Sequence, residues 1–137
     1  MLSTNMTRQN LSGTSPYEPI IGFSRAVRVG DQIFISGTGP VGADEDDVAT
    51  QTRKILEIAA EILKRAGATF EDVVRTRMYL THASDWETVG QVHGEVFHTI
   101  RPAATMVVVA QLLNPKWRVE IEFDAILSSE NPTAEGK

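Results

Sequence analysis

Arg101-Pro102-Ala103-Ala104-Thr105-Met106-Val107-Val108-Val109-Ala110, a break at Leu113-Asn114-Pro115-Lys116, then Trp117-Arg118-Val119-Glu120-Ile121-Glu122-Phe123-Asp124-Ala125-Ile126-Leu127 is the stretch that decides the fold. Its first part is a short run rich in β-branched residues and opened by a proline, which suits the start of a buried strand. Its second part alternates. Val119, Ile121, Phe123, Ala125 and Leu127 share one face, and Arg118, Glu120, Glu122 and Asp124 share the other, because strand side chains have a period of two. One face therefore belongs to a core, and the other carries three acids roughly 7 Å apart. A solvated face with cross-strand ion pairs is the plainer reading for Glu122 and Asp124. Glu120 stands equally well as a carboxylate held in a pocket and available as a general base.

Upstream, Phe23-Ser24-Arg25-Ala26-Val27-Arg28-Val29 begins a strand, Gly30-Asp31 makes a tight turn, and Gln32-Ile33-Phe34-Ile35-Ser36 returns. The return ends in Ser36-Gly37-Thr38-Gly39-Pro40, small and open enough for a ligand to approach the backbone and the Ser36 hydroxyl. A plain strand-ending loop reads the same way. No Lys-Ser/Thr pair follows, so this is no phosphate-binding loop. Asp44-Glu45-Asp46-Asp47 puts negative charge at a helix start. The helix spans about Asp47 to Ala66, with Val48, Thr52, Ile55, Ala59, Ile62 and Ala66 on its buried stripe, Leu56 and Leu63 widening it, and Gly67 stopping it.

After a turn at Thr69–Asp72, Val73–Leu80 reads as a strand. Val74, Thr76, Met78 and Leu80 lie on one face, and Arg75, Arg77 and Tyr79 on the other. Arg75 suits a salt ladder with the acidic strand, whereas Arg77 is also suited to a ligand carboxylate, since guanidinium binds carboxylates bidentately. Ser84-Asp85-Trp86-Glu87 matches a capping box. The helix that follows runs to about Thr99 with an apolar face of Trp86, Val89, His93, Val96 and Phe97. Gly90 and Gly94 thin it for close approach to the sheet. His93 reads as a hydrogen-bonded core histidine, and the spacing of His82, His93 and His98 fits no metal site.

The order β-β-α-β-α-β-β makes an α+β fold, a mixed sheet with both helices on one face. Ile33-Phe34-Ile35 and Met106–Val109 are apolar on both sides, so the second face needs covering, and further copies of the chain in a symmetric homo-oligomer would cover it.

The chain has 137 residues, 42% hydrophobic and 23% charged, which is enough for one domain with a real core. We expect a domain over residues 11–127, with loose chain at 1–10 and 128–137. The net charge of -5 argues against non-specific nucleic-acid binding. The absence of cysteine removes thiol chemistry and fits a cytoplasmic protein. No apolar run approaches membrane-spanning length, and no signal-peptide plan opens the chain.

Phe23–Val27, Ile33-Phe34-Ile35-Ser36-Gly37, Ala66-Gly67-Ala68, Phe97, Pro102-Ala103 and Val119–Glu122 together resemble the RidA/YjgF family of reactive-intermediate deaminases, also known as endoribonuclease L-PSP. The resemblance implies a chorismate-mutase-like homotrimer with clefts between subunits. It also implies cofactor-free hydrolysis of imino or enamine acids to 2-oxo acids and ammonia. Carried over, Ser36 matches a substrate-positioning serine and Glu120 a glutamate that places water. The family arginine after Pro-Ala falls at Ala104, its tyrosine at Phe23 and an asparagine at Gly90. The expected site is therefore catalytic Glu120, with Ser36, Gly37, Thr38, Phe23, Ala104 and Trp117 around the ligand. Arg77 would replace the lost anchor, with Arg101 as the second candidate. A small imino or enamine acid with altered specificity is the expected substrate. A non-catalytic small-molecule-binding trimer is the alternative, and RNA cleavage is disfavoured by the acidic balance.

Overall fold

The computed structural model describes residues 7–128. Its elements are β1 (Arg8–Leu11), β2 (Ala26–Val29), β3 (Gln32–Thr38), α1 (Val48–Arg65), β4 (Val73–Leu80), α2 (Trp86–Phe97), β5 (Ala103–Val108) and β6 (Val119–Ile126). The six strands form one sheet in the order β1-β2-β3-β6-β4-β5. Only β4 and β5 run parallel, so the sheet is mixed as the sequence implied.

The helices bury their apolar stripes against one face. Val48, Thr52, Ile55, Leu56, Ala59, Ile62, Leu63 and Ala66 of the first helical segment are all buried. They meet Ile33, Ile35, Met78, Leu80, Val119, Ile121, Phe123 and Ala125 from the sheet. Asp47 caps α1 by accepting from the Thr50 backbone N–H at 2.9 Å, and Gly67 stops it at φ +90°. Gly30 turns the β2–β3 hairpin at φ +59°. His93 shares a 3.0 Å hydrogen bond with Thr76 Oγ1 and packs against Phe97, and burial holds its pKa below the ordinary value.

Four expectations need correcting. Arg8–Asn10, read as loose chain, pairs with Arg28, Val29 and Val27 in an edge strand. Residues 1–6 and 129–137, which hold most of the expected tails, lie outside the described residues. The capping box at Ser84 does not form, because Ala83–Asp85 is a 3₁₀ turn and α2 starts without a side-chain cap. Asp85 is instead taken by Arg118, whose Nε and Nη2 donate to the carboxylate at 3.0 and 2.9 Å. Trp86, placed on the apolar face of α2, is 59% exposed. A β-carbon at Gly90 or Gly94 would meet nothing within 4 Å, so these glycines do not serve close packing on the sheet.

The opposite face of the sheet carries Arg75, Arg77 and Tyr79 from β4 opposite Asp124, Glu122 and Glu120 from β6. Among the described residues nothing covers it: Phe34 and Val107 are exposed there. No helix among the described residues is long and apolar enough to cross a membrane.

Candidate functional site

The site is built where β3 departs from regular pairing with β6. Ile35 pairs with Phe123 and Thr38 with Ile121, so three steps along β3 match two along β6. This is a bulge at Ser36-Gly37, and such an irregularity re-aims side chains locally. Alternation on β6 sends Glu120 to the face away from the helices. There its carboxylate lies where a β-carbon of Gly37 would stand, with Cδ 3.2 Å from that position. Any larger residue at 37 would displace it.

Glu120 also lines a cleft of about 280 Å³ on its other side, together with Tyr79, Val109, Gln111, Leu112, Leu113 and Glu122. Tyr79 comes from the position directly across the ladder. Burial raises the Glu120 pKa from its ordinary value. The Arg25 charge opposes this shift, and that of Glu122 adds to it. The Tyr79 phenol is also raised, by desolvation first and then by Glu122, so it remains a protonated donor at neutral pH.

Arg25, just ahead of β2, sits behind Glu120. Its Nη2 donates to the Gly37 carbonyl oxygen, and its charge acts between Glu18 and Glu120. Its Nε is the buried side-chain nitrogen left without a partner among the described residues. Glu18 is itself 8% exposed and accepts from the Gly13 N–H through both oxygens, at 3.1 and 2.9 Å.

The loop carrying Leu112 and Leu113 is fixed from below. Fully buried Gln51 donates from Nε2 to the Lys116 carbonyl at 3.0 Å and, at longer range, to those of Asp44 and Asp46. Its Oε1 accepts from Arg118 N–H at 2.9 Å. Asp44 accepts from Trp117 Nε1 at 2.8 Å and from Asn114 Nδ2 at 3.2 Å. The Trp117 ring lies over the α-carbon of Gly39.

The expected site residues separate on this framework. Glu120 and Gly37 meet. Ser36 adjoins them, but its hydroxyl proton goes to the Ser24 carbonyl at 2.6 Å, leaving only lone pairs to offer. Thr38 is 2% exposed and donates to the Ser36 carbonyl, so its side chain is turned inward and unavailable to a ligand. Phe23 lies beside Arg25, its ring centroid 6.0 Å from the guanidinium carbon. Trp117 braces the rim and does not line the cleft.

Within one chain Arg77 is engaged by its own sheet. Its Nη1 is 3.4 Å from Glu122 and 3.3 Å from Asp124, so neighbours on the same sheet hold it. Ala104 is exposed in β5 in register with Thr76, whose side chain is buried on the helix side; within one chain it does not face Glu120. Arg101 is exposed at the head of β5, at φ +57°.

Two contributors were missed. Tyr79 was legible as a face-mate of Arg77 but was given no role. Arg25 stood inside a quoted motif, yet nothing in a strand-opening arginine signals that it folds back under the bulge.

Residues 13–127 match the profile of the endoribonuclease L-PSP family. The chain belongs to that family. It is 34% identical over 131 residues to human 2-iminobutanoate/2-iminopropanoate deaminase, covering 90% of this chain and 93% of the relative. It is 32% identical over 114 residues to 3-aminoacrylate deaminase RutC of Acinetobacter baylyi, covering 80% and 88%. Among solved structures, a YjgF/YER057c/UK114-family protein of Mycobacterium tuberculosis superposes with a TM-score of 0.83 at 45% identity, covering 88% of this chain and all of that one. The six-stranded mixed sheet with two helices is thus the YjgF-family fold.

The titratable groups of the cleft are Glu120, Glu122 and Tyr79, set among Val109, Gln111, Leu112 and Leu113. Among the described residues no group of three or more His, Asp or Glu side chains is disposed to hold a metal ion.

Proposed function

We propose that the protein is a deaminase of the RidA kind that hydrolyses the C=N bond of a small imine or enamine and works as a homotrimer. The observation that carries the reading is Glu120, a half-buried carboxylate of raised pKa seated on Gly37 at the edge of a cleft. The relatives named as deaminases support it. So does the uncovered outer face of the sheet, which a second and third copy would cover.

An iminium carbon is electrophilic, and water is too weak a nucleophile until a base takes its proton. Glu120, with a pKa moved toward neutrality, suits that transfer. The water oxygen bonds to carbon, the C=N double bond becomes single, and Glu120 accepts the water proton. Glu120 then returns that proton to nitrogen; the C–N bond breaks as the carbinol hydroxyl gives its proton to Glu120, which leaves a neutral carbonyl and ammonia, and the ammonia takes that proton up as ammonium. Overall, iminium plus water gives carbonyl plus ammonium, so no redox partner is required. Tyr79 stands opposite with its hydroxyl proton on Glu122, so its oxygen is offered as an acceptor for the O–H or N–H of the adduct.

The test is ammonia release from freshly generated imines with and without the protein, and with Glu120→Gln. Acceleration that drops by about 100-fold or more in Glu120→Gln is expected, from the lower end of the usual range for losing a general base upward. No acceleration of any imine by the wild type would overturn the reading in favour of a binding protein.

A further inference from the structure

Both residues of the bulge that seats Glu120 are held by Arg25. The Ser36 N–H donates to the Arg25 carbonyl at 3.0 Å, and Arg25 Nη2 donates to the Gly37 carbonyl. On the other side the Arg25 N–H donates to the Leu11 carbonyl at 2.9 Å, so the backbone that carries the guanidinium is tied to both neighbouring strands. Glu18 backs the side chain. A β-carbon at Gly13 would meet the Glu18 carboxylate at 2.8 Å and Arg25 Cδ at 3.0 Å, so both side chains close on that glycine, whose N–H pins the carboxylate. A neutral donor would hold the Gly37 carbonyl at a lower desolvation cost. Burial disfavours the Arg25 charge, and its Nε has no partner among the described residues. That charge acts on two carboxylates, Glu18 and Glu120. All these contacts lie within one chain and do not depend on what covers the outer face of the sheet.

We propose that Arg25, backed by Glu18, is a positioning residue for Glu120: it holds the Ser36-Gly37 bulge that seats the carboxylate and supplies positive charge beside it. The consequence for turnover rests on the deaminase reading above; the seat itself does not. The other groups facing Glu120 are accounted for. Glu122 follows on the same face of β6 and raises the Glu120 pKa. Tyr79 lies across on β4 with its proton on Glu122, and Arg77, two positions earlier on β4, is taken by Glu122 and Asp124. Ser36 and Gly37 bring no titratable group. Desolvation pushes the Glu120 pKa up, and Arg25 pushes it down. Removing the Arg25 charge should therefore raise it further. Removing the Glu18 charge leaves Arg25 unopposed and should lower it. A pair with a merely structural role would not give shifts of opposite sign.

The experiment compares Arg25→Met, Arg25→Lys and Glu18→Gln with the wild type in two measurements. One is kcat and KM across pH for freshly generated 2-iminobutanoate. The other is a carbon NMR titration of the Glu120 carboxylate in glutamate-labelled protein, its signal identified by its absence in Glu120→Gln. In Arg25→Met the Glu120 midpoint and the acid limb of kcat/KM should both move up by about one pH unit. There kcat should fall about tenfold or more while KM stays within about twofold, since the group displaced is the base and not a substrate contact. Arg25→Lys should bring the midpoint back toward the wild-type value, because its charge remains. Glu18→Gln should move the midpoint down by about half a pH unit. A midpoint that stays put in Arg25→Met, or moves the same way in it and in Glu18→Gln, would overturn the proposal. So would a loss confined to KM, which would make Arg25 a substrate contact. Should Arg25→Met not fold, Glu18→Gln decides: a downward shift upholds the proposal and no shift overturns it. If the wild type hydrolysed no imine, the deaminase reading would fall and the titration alone would decide whether Arg25 sets the state of Glu120.

Discussion

The carboxylate of Glu120 occupies the space above Gly37 where any other residue would place its β-carbon. Gly37→Ala must therefore push Glu120 off its seat. The obstructing oxygen is at the end of a flexible side chain, so the fold should tolerate the change. Misplacing a reacting group by about 1 Å can cost on the order of 100-fold in rate. The expected outcome is a thermal midpoint within a few degrees of wild type and a kcat lowered about 10- to 100-fold, measured by calorimetry and ammonia release.

Glu120→Gln should separate activity from stability. The folded pKa of Glu120 is raised above its unfolded value, so between those two values the native state binds more protons than the unfolded state. Stability contributed by this group is present at acid pH and is lost as pH rises through the folded pKa. Glutamine keeps the shape without that loss. Urea titrations should show a stability advantage for Glu120→Gln that grows from pH 4 to pH 7, in a variant with little activity. An advantage that shrinks over that range would mean that burial does not raise the Glu120 pKa.

The ion pairs should differ in worth. Asp85 has a side chain only 9% exposed and receives two hydrogen bonds from Arg118. Asp85→Ala is expected to cost about 1–3 kcal/mol, the usual range for charge-assisted bonds. Arg77→Ala loses longer contacts to partly exposed acids and should change stability by less than about 1 kcal/mol. Denaturant midpoints at constant m would measure both.

His93 gives the domain a second pH dependence of opposite sign. Its pKa is depressed in the fold by burial, so below about 6.5, the ordinary value, the unfolded chain binds the proton more readily. Stability should fall as pH drops from about 7 to 5, and His93→Gln should flatten that part of the curve. Thr76→Val should lower stability at pH 7 by about 1 kcal/mol by leaving the ring nitrogen unpaired. Thermal unfolding across pH, with both variants beside the wild type, would check this.

Elements with a strong period were open to reading from the chain. The stripe from Val48 to Ala66 and the alternation from Val119 to Ala125 burial follow from side-chain direction, which local sequence controls. Glu120 was legible as a candidate for the same reason. What escaped depends on partners far along the chain. Arg8-Gln9-Asn10 has no strand-like apolar face, and it becomes a strand because β2 offers an unpaired edge. The Ser84 box gives way to an ion pair across 33 positions. The acidic partners of Arg77 were legible on the last strand, but which of them it would take, Glu122 and Asp124, depends on strand register. Gln51 resembled an ordinary polar helix residue, although it falls on the same stripe as Val48 and Ile55, and a polar group there must find partners.

The chain contains two tryptophans, Trp86 and Trp117. Trp86 stands 59% exposed at the start of α2. Trp117 rests on Gly39 with its indole proton on Asp44, at the root of the loop that carries Leu112 and Leu113. Emission from the first is that of an indole in water, and emission from the second depends on how that loop is held. The protein thus contains its own optical probe of the cleft wall: a quencher in solvent acts more strongly on Trp86 than on half-buried Trp117, and the difference weights the light toward the residue at the root of the loop that carries Leu112 and Leu113.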